Sequence, residues 1–107
     1  MKIVIAGGKA KADYLIRLLN GKGHQLIVIN DDLEFCTYLS QAHQIPVVHG
    51  DPCKLYVLDE ANIEDGDVII ALKAADADNL AICQTAKRLY RVKKTVAVVG
   101  NPKSVDI

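Results

Sequence analysis

Two adjacent glycines, Gly7 and Gly8, follow a short apolar run near the start of the chain and precede a segment with helical spacing. A strand, a tight glycine turn and the first turn of a helix together present backbone N–H groups to a phosphate. Glycine is favoured there because it accepts a positive φ and lets a ligand approach the backbone. The dinucleotide fingerprint G-x-G-x-x-G would place glycines at Ala6, Gly8 and Lys11, and only Gly8 is present. The pattern therefore indicates the fold more strongly than it indicates a particular cofactor.

Two lysines, Lys9 and Lys11, follow the glycines and place ammonium groups beside the predicted helix N-terminus. Positive side chains at this position favour a ligand that ends in a phosphate, such as AMP, ADP or ATP, over a buried pyrophosphate bridge. Lys11 also replaces the third glycine of the fingerprint, which normally lets the helix and the strand pack closely. The alternative interpretation is that both lysines are solvated.

Asn30 ends the second apolar run, roughly twenty residues beyond the glycines, where a Rossmann site usually has the Asp or Glu that binds the adenosine ribose. Asp31 and Asp32 follow it. An amide hydrogen-bonds a ribose more weakly than a carboxylate does. Both NAD(H) and adenine mononucleotides therefore stay candidate ligands.

Asn79 is the most informative polar residue in the second half of the chain. It shares one helical face with the apolar residues Ile82, Cys83, Ala86, Leu89 and Tyr90. A buried amide needs hydrogen-bond partners. We therefore expect Asn79 to be a structural clamp near the cleft, bonded to backbone groups at the strand ends, with direct ligand contact as the alternative.

The cysteines and histidines do not form the pattern of a metal site or a catalytic group. The three cysteines are an odd number with no C-x-x-C pair, so neither a disulfide framework nor a zinc site is predicted. The three histidines are far apart in the sequence. His49 is near the predicted ligand-binding edge but has no obvious nucleophile or orienting partner. We predict no catalytic residues and no metal.

The composition gives no reason to expect nucleic acid or a membrane surface as the partner. Acidic and basic side chains balance at 13 each among 107 residues, and the sequence pI is about 6.8. No apolar run approaches the roughly 18 to 20 residues that span a bilayer, and the N-terminus lacks a signal-peptide pattern. A cytoplasmic protein without membrane insertion is expected.

Five short apolar runs predict five strands, over residues 3–6, 26–29, 46–48, 68–72 and 96–99. Each run is continuous, which is typical of parallel strands covered on both faces. The segments between them have helical spacing, and right-handed crossovers then give a Rossmann-like doubly wound α/β fold. We predict three layers, α/β/α, with strand order 3-2-1-4-5. Ligands bind such sheets beyond the C-terminal strand ends, here residues 6–11, 30–32, 49–53 and 72–78.

The ends of the helices also carry sequence signals. Asp31 is the expected N-cap of a helix over residues 33–43. Asp51 and Pro52 are expected to start the third helix as its cap and its first residue. The buried face of the first helix is expected to consist of Tyr14, Leu15, Leu18 and Leu19.

Taken together, the residues resemble the N-terminal domain of TrkA/KtrA-type regulators of potassium conductance, often called RCK domains. The most specific combination is the H-G-D step at residues 49–51, the L-x-E-A-x-I pattern at 58–63 and the D-x-x-N-L helix start at 76–80. The resemblance covers residues 1–107, as one nucleotide-binding domain. Because chains of this family continue beyond the turn that we expect at Asn101 and Pro102, we expect this domain to be part of a longer protein.

The resemblance implies a non-enzymatic regulatory, or gating, subunit beneath a membrane potassium channel or transporter. Subunits of this family form dimers and then rings, usually octameric, of one or two kinds of chain, and they bind NAD(H) or adenine nucleotides. By resemblance, the cleft residues would be Gly7, Gly8, Lys9, Ala10 and Lys11 at the phosphates, Asn30 and Asp31 near the ribose, Asp51, Pro52 and Cys53 beside the adenine, and Leu72 and Lys73 on the remaining wall.

Two other functions stay open at this stage. The chain could be the cofactor-binding fragment of an NAD-dependent oxidoreductase, although 107 residues leave no room for a separate substrate domain. It could also be a domain kept for assembly alone, with an empty cleft. A measurement of nucleotide binding distinguishes the assembly domain, which would bind none, from the regulatory domain and the oxidoreductase. Turnover of NADH would identify the oxidoreductase.

Overall fold

Five parallel strands form one sheet in the order β3-β2-β1-β4-β5 in the computed structural model, which describes residues 1–99. This order and the α/β alternation confirm the predicted fold; the turn expected at Asn101 and Pro102 lies outside the described residues. The elements are β1 (Lys2–Ala6), α1 (Ala10–Leu19), β2 (Gln25–Asn30), α2 (Leu33–His43), β3 (Val47–His49), α3 (Leu55–Ala61), β4 (Val68–Ala71), α4 (Asp76–Tyr90) and β5 (Lys94–Ala97).

Helices cover both faces of the sheet, which explains why the strands are continuous apolar runs. Successive side chains of β1 point to opposite faces. Ile5 packs in a core cluster with Ile16 of α1, whereas Val4 packs in a second cluster with Leu58 of α3 and Ile82 of α4. Helices α1 and α2 therefore lie on one side of the sheet, and α3 and α4 lie on the other. The strand order reverses between the neighbouring strands β1 and β4.

The buried face of α1 differs from the prediction. Tyr14 and Leu18 are 59% and 47% exposed, and the helix contacts the sheet mainly through Ala12 and Ile16. The helix carries apolar residues on two adjacent faces, and spacing alone does not say which face meets the sheet. The prediction was wrong for Tyr14 and Leu18 for this reason. Leu89, expected on the buried face of α4, is likewise exposed.

The N-cap of α2 is Asp32, not Asp31. The Asp32 carboxylate accepts a hydrogen bond from the backbone N–H of Phe35 at 3.0 Å. Both aspartates have the chemistry of a cap. Only the second has its side chain directed back over the first turn of the helix, and the Asp31 side chain is left at the sheet edge.

The third helix starts later than predicted, at Leu55, with Lys54 as its N-cap. The Asp51 carboxylate instead accepts from the N–H of Cys53 at 2.9 Å, and the Asp51 carbonyl accepts from the N–H of Lys54 at 3.0 Å. Asp51 and Pro52 therefore form a turn before the helix. An Asp-Pro pair suits either arrangement, because Asp favours turns as well as helix caps.

Candidate functional site

The glycine turn joins β1 to α1 with both glycines in the left-handed region, at φ +81° for Gly7 and +90° for Gly8. The Gly7 N–H donates to the carbonyl of Ile29 at 2.8 Å, which ties the turn to β2. A Cβ atom on Gly8 would lie 2.8 Å from the Cβ of Leu72, so the turn is also pressed against the end of β4. Glycine is required here by conformation and by space.

The N-terminus of α1 opens directly from this turn and has no side-chain cap. Lys9 occupies the N-cap position, and its side chain accepts no hydrogen bond from the first turn. The N–H groups of Ala10 and Lys11 have no acceptor within the helix, since the first intrahelical bond is from Asp13 to the Lys9 carbonyl. The turn and the helix dipole together suit an anion.

Asn30 lies beneath the turn, with its side chain buried. Its amide N–H donates to the carbonyl of Gly8 at 2.8 Å, and its amide oxygen accepts from the N–H of Asp32 at 3.0 Å. Both ends of the amide are therefore occupied by backbone. Asn30 positions the glycine turn, whereas Asp31, the other residue expected near a ribose, lines the crevice with its carboxylate about half exposed.

A crevice of about 280 Å³ lies at the C-terminal edge of the sheet, beside the reversal of strand order. Its volume is just below the usual range for small-molecule pockets, about 300 to 1,000 Å³. The crevice brings together predicted site residues from three connections, after β1, β2 and β4. It also includes Ala74, which lies in the stretch 72–78 expected at this edge but was not predicted as a site residue. Its lining consists of Gly8, Lys9, Asp31, Leu72, Lys73 and Ala74.

Lys73 extends from the end of β4 into a group of three carboxylates. Its ammonium nitrogen lies 3.0 Å from Oδ1 of Asp51, 3.5 Å from Oδ2 of Asp31 and 3.8 Å from Oδ2 of Asp78. The Lys73 side chain is only 16% exposed. Burial alone would lower the pKa of Lys73, but the carboxylates outweigh it and raise the pKa above its usual range.

The Asp51 carboxyl has the complementary shift. Burial alone would raise its pKa, but the N–H of Cys53 and the ammonium group of Lys73 lower it below the usual range. Asp51 is therefore charged at neutral pH. Asp78 lies in the stretch 72–78 that was expected at this edge, but it was not among the predicted site residues. Its charge, opposite to that of Lys73 and five residues after it, was an available signal.

Cys53 follows the buried Pro52 in the turn after Asp51. Burial and the negative charge of Asp51 raise the pKa of Cys53 to about 11. The group is therefore a neutral thiol near pH 7, and a thiolate nucleophile is not available there.

Asn79 is fully buried at the start of α4. Its amide oxygen accepts from the N–H of Lys73 at 2.7 Å, and its amide nitrogen donates to the carbonyls of Lys73 and Val98 at 2.8 and 2.9 Å. These bonds join α4 to the backbone that follows β4 and β5. The three hydrogen bonds of the Asn79 side chain are therefore all to backbone groups just beyond the ends of β4 and β5.

The two lysines of the first turn have different surroundings. The Lys9 ammonium group pairs with the Asp32 carboxylate and lies 5.1 Å from the centre of the Phe35 ring. Lys11 is exposed and has no ion pair among residues 1–99. A phosphate that drew on Lys9 would compete with Asp32, whereas Lys11 has no such competitor.

Two features are absent from the part of the chain that the structure describes, a metal-binding cluster and a membrane-spanning helix. Over residues 1–99, no group of three or more His, Cys, Asp or Glu side chains has the geometry to hold a metal ion. Within the same range, none of the helices combines the length and apolar character that crossing a membrane requires.

Comparison with known proteins gives one family and several relatives. The sequence model of the TrkA-N domain matches residues 3–107. The chain is 34% identical over 107 residues to the Trk system potassium uptake protein TrkA of Halomonas elongata, covering 99% of this chain and 23% of that protein. It is 31% identical over 102 residues to a TrkA homolog of Methanothermobacter thermautotrophicus, covering 95% of this chain and 47% of that protein.

A third relative is the TrkA protein of Mycobacterium tuberculosis, at 30% identity over 107 residues, which covers 97% of this chain and 47% of that protein. The chain thus spans less than half the length of each of these three relatives. The matches fall on a part of the relatives, and the similarity of this chain extends over nearly all of its residues.

Proposed function

Because the chain belongs to the TrkA-N domain family, we propose that it is a nucleotide-binding regulatory domain of a membrane potassium uptake system. The relatives named for such a system support the potassium part of this proposal. The observation that carries the nucleotide part is the glycine turn. Gly7 and Gly8 open onto an uncapped helix N-terminus at the edge of the crevice.

The ligand is an adenine nucleotide, AMP, ADP or ATP, or NAD(H). Its phosphate would lie against the N–H groups of the turn and the first turn of α1, with Lys11 as an unpaired ammonium group nearby. Asp31 would accept hydrogen bonds from the ribose hydroxyls, as the carboxylate after β2 in such sites does. Asp51, Pro52 and Cys53 would border the adenine, and Leu72 and Lys73 would form the opposite wall.

The domain acts by binding, not by catalysis. We propose a cytoplasmic subunit or domain that assembles through dimers into a ring beneath its potassium channel or transporter. Nucleotide then changes the transporter only if it binds two states of the assembly with different free energies, typically by about 1 to 3 kcal/mol. The neutral Cys53 thiol and the family relatives both support a role without bond-making chemistry.

The proposal is tested by calorimetric titration of the chain with AMP, ADP, ATP, NAD⁺ and NADH. Light scattering with the preferred ligand then measures whether the assembly responds. We expect heat from at least one nucleotide and a change in molar mass or size. Absence of heat from all five at millimolar concentration would contradict the proposal, and consumption of NADH with added carbonyl compounds would indicate an enzyme instead.

The ribose contact has its own test. The parent chain should bind AMP more tightly than 2′-deoxy-AMP, because the Asp31 carboxylate accepts from the hydroxyl. Asp31→Ala should remove this discrimination. Glu34 is an exposed acid in the first turn of α2, and the control variant Glu34→Ala should retain it. Equal discrimination in both variants would exclude Asp31 from the ribose site.

A further inference from the structure

We propose that Lys73 determines how much ligand charge the crevice admits, by offsetting part of the negative charge of Asp31, Asp51 and Asp78. This inference rests on the proposed nucleotide-binding function. It assigns Lys73 an electrostatic role in selecting among phosphorylated ligands.

The backbone of Lys73 is held in place on both sides. Its N–H and its carbonyl both hydrogen-bond the buried amide of Asn79, at 2.7 and 2.8 Å. The start of its side chain lies against the glycine turn, since a Cβ atom on Gly7 would be 2.6 Å from the Lys73 Cγ. The stem therefore passes beside the predicted phosphate site before the ammonium group reaches the carboxylates.

The ammonium group does not neutralise its neighbours. Three carboxylates lie within 3.8 Å of one cation, so this group of four side chains has a net charge of −2. The nearby Lys9 and Asp32 pair with each other and add no net charge. A phosphate bound at the adjacent turn meets this residual negative charge, and the repulsion is larger for each further negative charge on the ligand.

Three variants change the charge of the group in steps. Lys73→Met keeps an unbranched stem and gives −3, Asp78→Asn gives −1, and the double variant returns the group to −2. Asp78 is the carboxylate of choice because it lies on α4, outside the residues assigned to phosphate, ribose or adenine. Lys22→Met, in the exposed connection between α1 and β2, removes the same charge far from the sheet edge.

The experiment is calorimetric titration of the parent and the variants with adenosine, AMP and ADP, at low and high salt. Lys73→Met should weaken AMP binding on the order of fivefold, and ADP binding more. Asp78→Asn should strengthen both, and the double variant should return to the parent affinity. In each variant the change in adenosine affinity should be much smaller than the change in AMP affinity, because adenosine carries no charge. Lys22→Met should behave as the parent, and the differences among the variants should shrink at high salt.

Other outcomes overturn the inference. Equal loss of adenosine and AMP in Lys73→Met would mean that Lys73 acts through packing, and a double variant as weak as Lys73→Met would exclude charge balance. If Lys73→Met fails to fold, two other variants carry the test. Asp78→Asn should strengthen AMP binding, and Lys73→Arg, which keeps the charge, should leave AMP binding unchanged. A parent chain that binds none of AMP, ADP, ATP, NAD⁺ and NADH would overturn the proposed function as well, whereas variants indistinguishable from a nucleotide-binding parent would overturn this inference alone.

Discussion

The side-chain amide of Asn79 pairs with both backbone groups of Lys73, accepting from its N–H at 2.7 Å and donating to its carbonyl at 2.8 Å. The same amide nitrogen donates to the carbonyl of Val98 at 2.9 Å. One buried side chain thus joins the start of α4 to the chain beyond β4 and β5. The residue that fixes this wall of the crevice is itself out of reach of solvent.

Replacing Asn79 with Ala should destabilise the fold by about 2 to 4 kcal/mol, because it leaves three part-buried backbone groups, on Lys73 and Val98, without their side-chain partner. Denaturant unfolding of the parent and the variant measures the difference. Asn20→Ala is the control, since Asn20 makes an exposed hydrogen bond to the carbonyl of His43 at 3.0 Å. It should cost about 1 kcal/mol or less, and equal costs for the two variants would contradict the clamp role of Asn79.

Alanine at Gly8 and at Gly23 separates steric clash from backbone strain. Both glycines have a positive φ, +90° and +83°, but an added Cβ meets Leu72 at 2.8 Å in the first case and nothing within 4 Å in the second. Gly23→Ala should therefore cost about 1 kcal/mol of unfolding free energy. Gly8→Ala should cost about 2 to 4 kcal/mol. Thermal or denaturant unfolding compares them, and a Gly8→Ala variant as stable as Gly23→Ala would show that the turn is not pressed against β4.

The contact between α1 and α2 should make stability sensitive to acid. The Asp13 carboxylate bonds to the His43 ring at 2.6 Å, to Arg17 at 2.9 Å and to the Tyr38 hydroxyl at 3.1 Å. The hydrogen bond from His43 is the main reason that the pKa of Asp13 lies below its usual range. A carboxyl with a lowered folded-state pKa stabilises the fold above its unfolded pKa, about 4, and loses that contribution as pH falls through the folded value.

The test is the unfolding free energy of the parent and of Asp13→Asn between about pH 2 and pH 6. The difference between them should be constant above about pH 5 and should shrink steadily below about pH 4. Three other carboxyl groups also have lowered pKa values, those of Asp32, Asp51 and Asp67. Their contributions are the same in the parent and in Asp13→Asn, so they cancel in the difference. A difference that does not change with pH would contradict the role of the Asp13 charge.

The sheet could be predicted because continuous apolar runs have one common explanation, burial on both faces, and because right-handed crossovers leave few strand orders. The bounds of α2 were predicted to the residue. Its cap was not, because Asp31 and Asp32 have the same chemistry and only the path of the chain decides between them. The prediction of the buried face of α1 was wrong for a related reason. Leu18 and Ile16 are both apolar, and tertiary packing decides which of them is buried.

The gathering of site residues at one edge also follows from topology, because the C-terminal ends of parallel strands meet there. The direction of each side chain does not. Asn30 ends β2 as expected, yet its amide turns under the glycine turn and hydrogen-bonds to Gly8. The contacts of Lys73 join residues from three connections, and no local pattern predicts them. The assignments to phosphate, ribose and adenine stay predictions.

The central claim is that a nucleotide phosphate binds the backbone of the glycine turn, and backbone amide NMR during titration with AMP tests it most directly. The N–H signals of Gly8, Lys9, Ala10 and Lys11 should shift most, with smaller shifts around Asp31 and Lys73, and inorganic phosphate should shift the turn alone. Saturable shifts elsewhere that leave these four amides in place, or no shifts at millimolar AMP, would contradict the account.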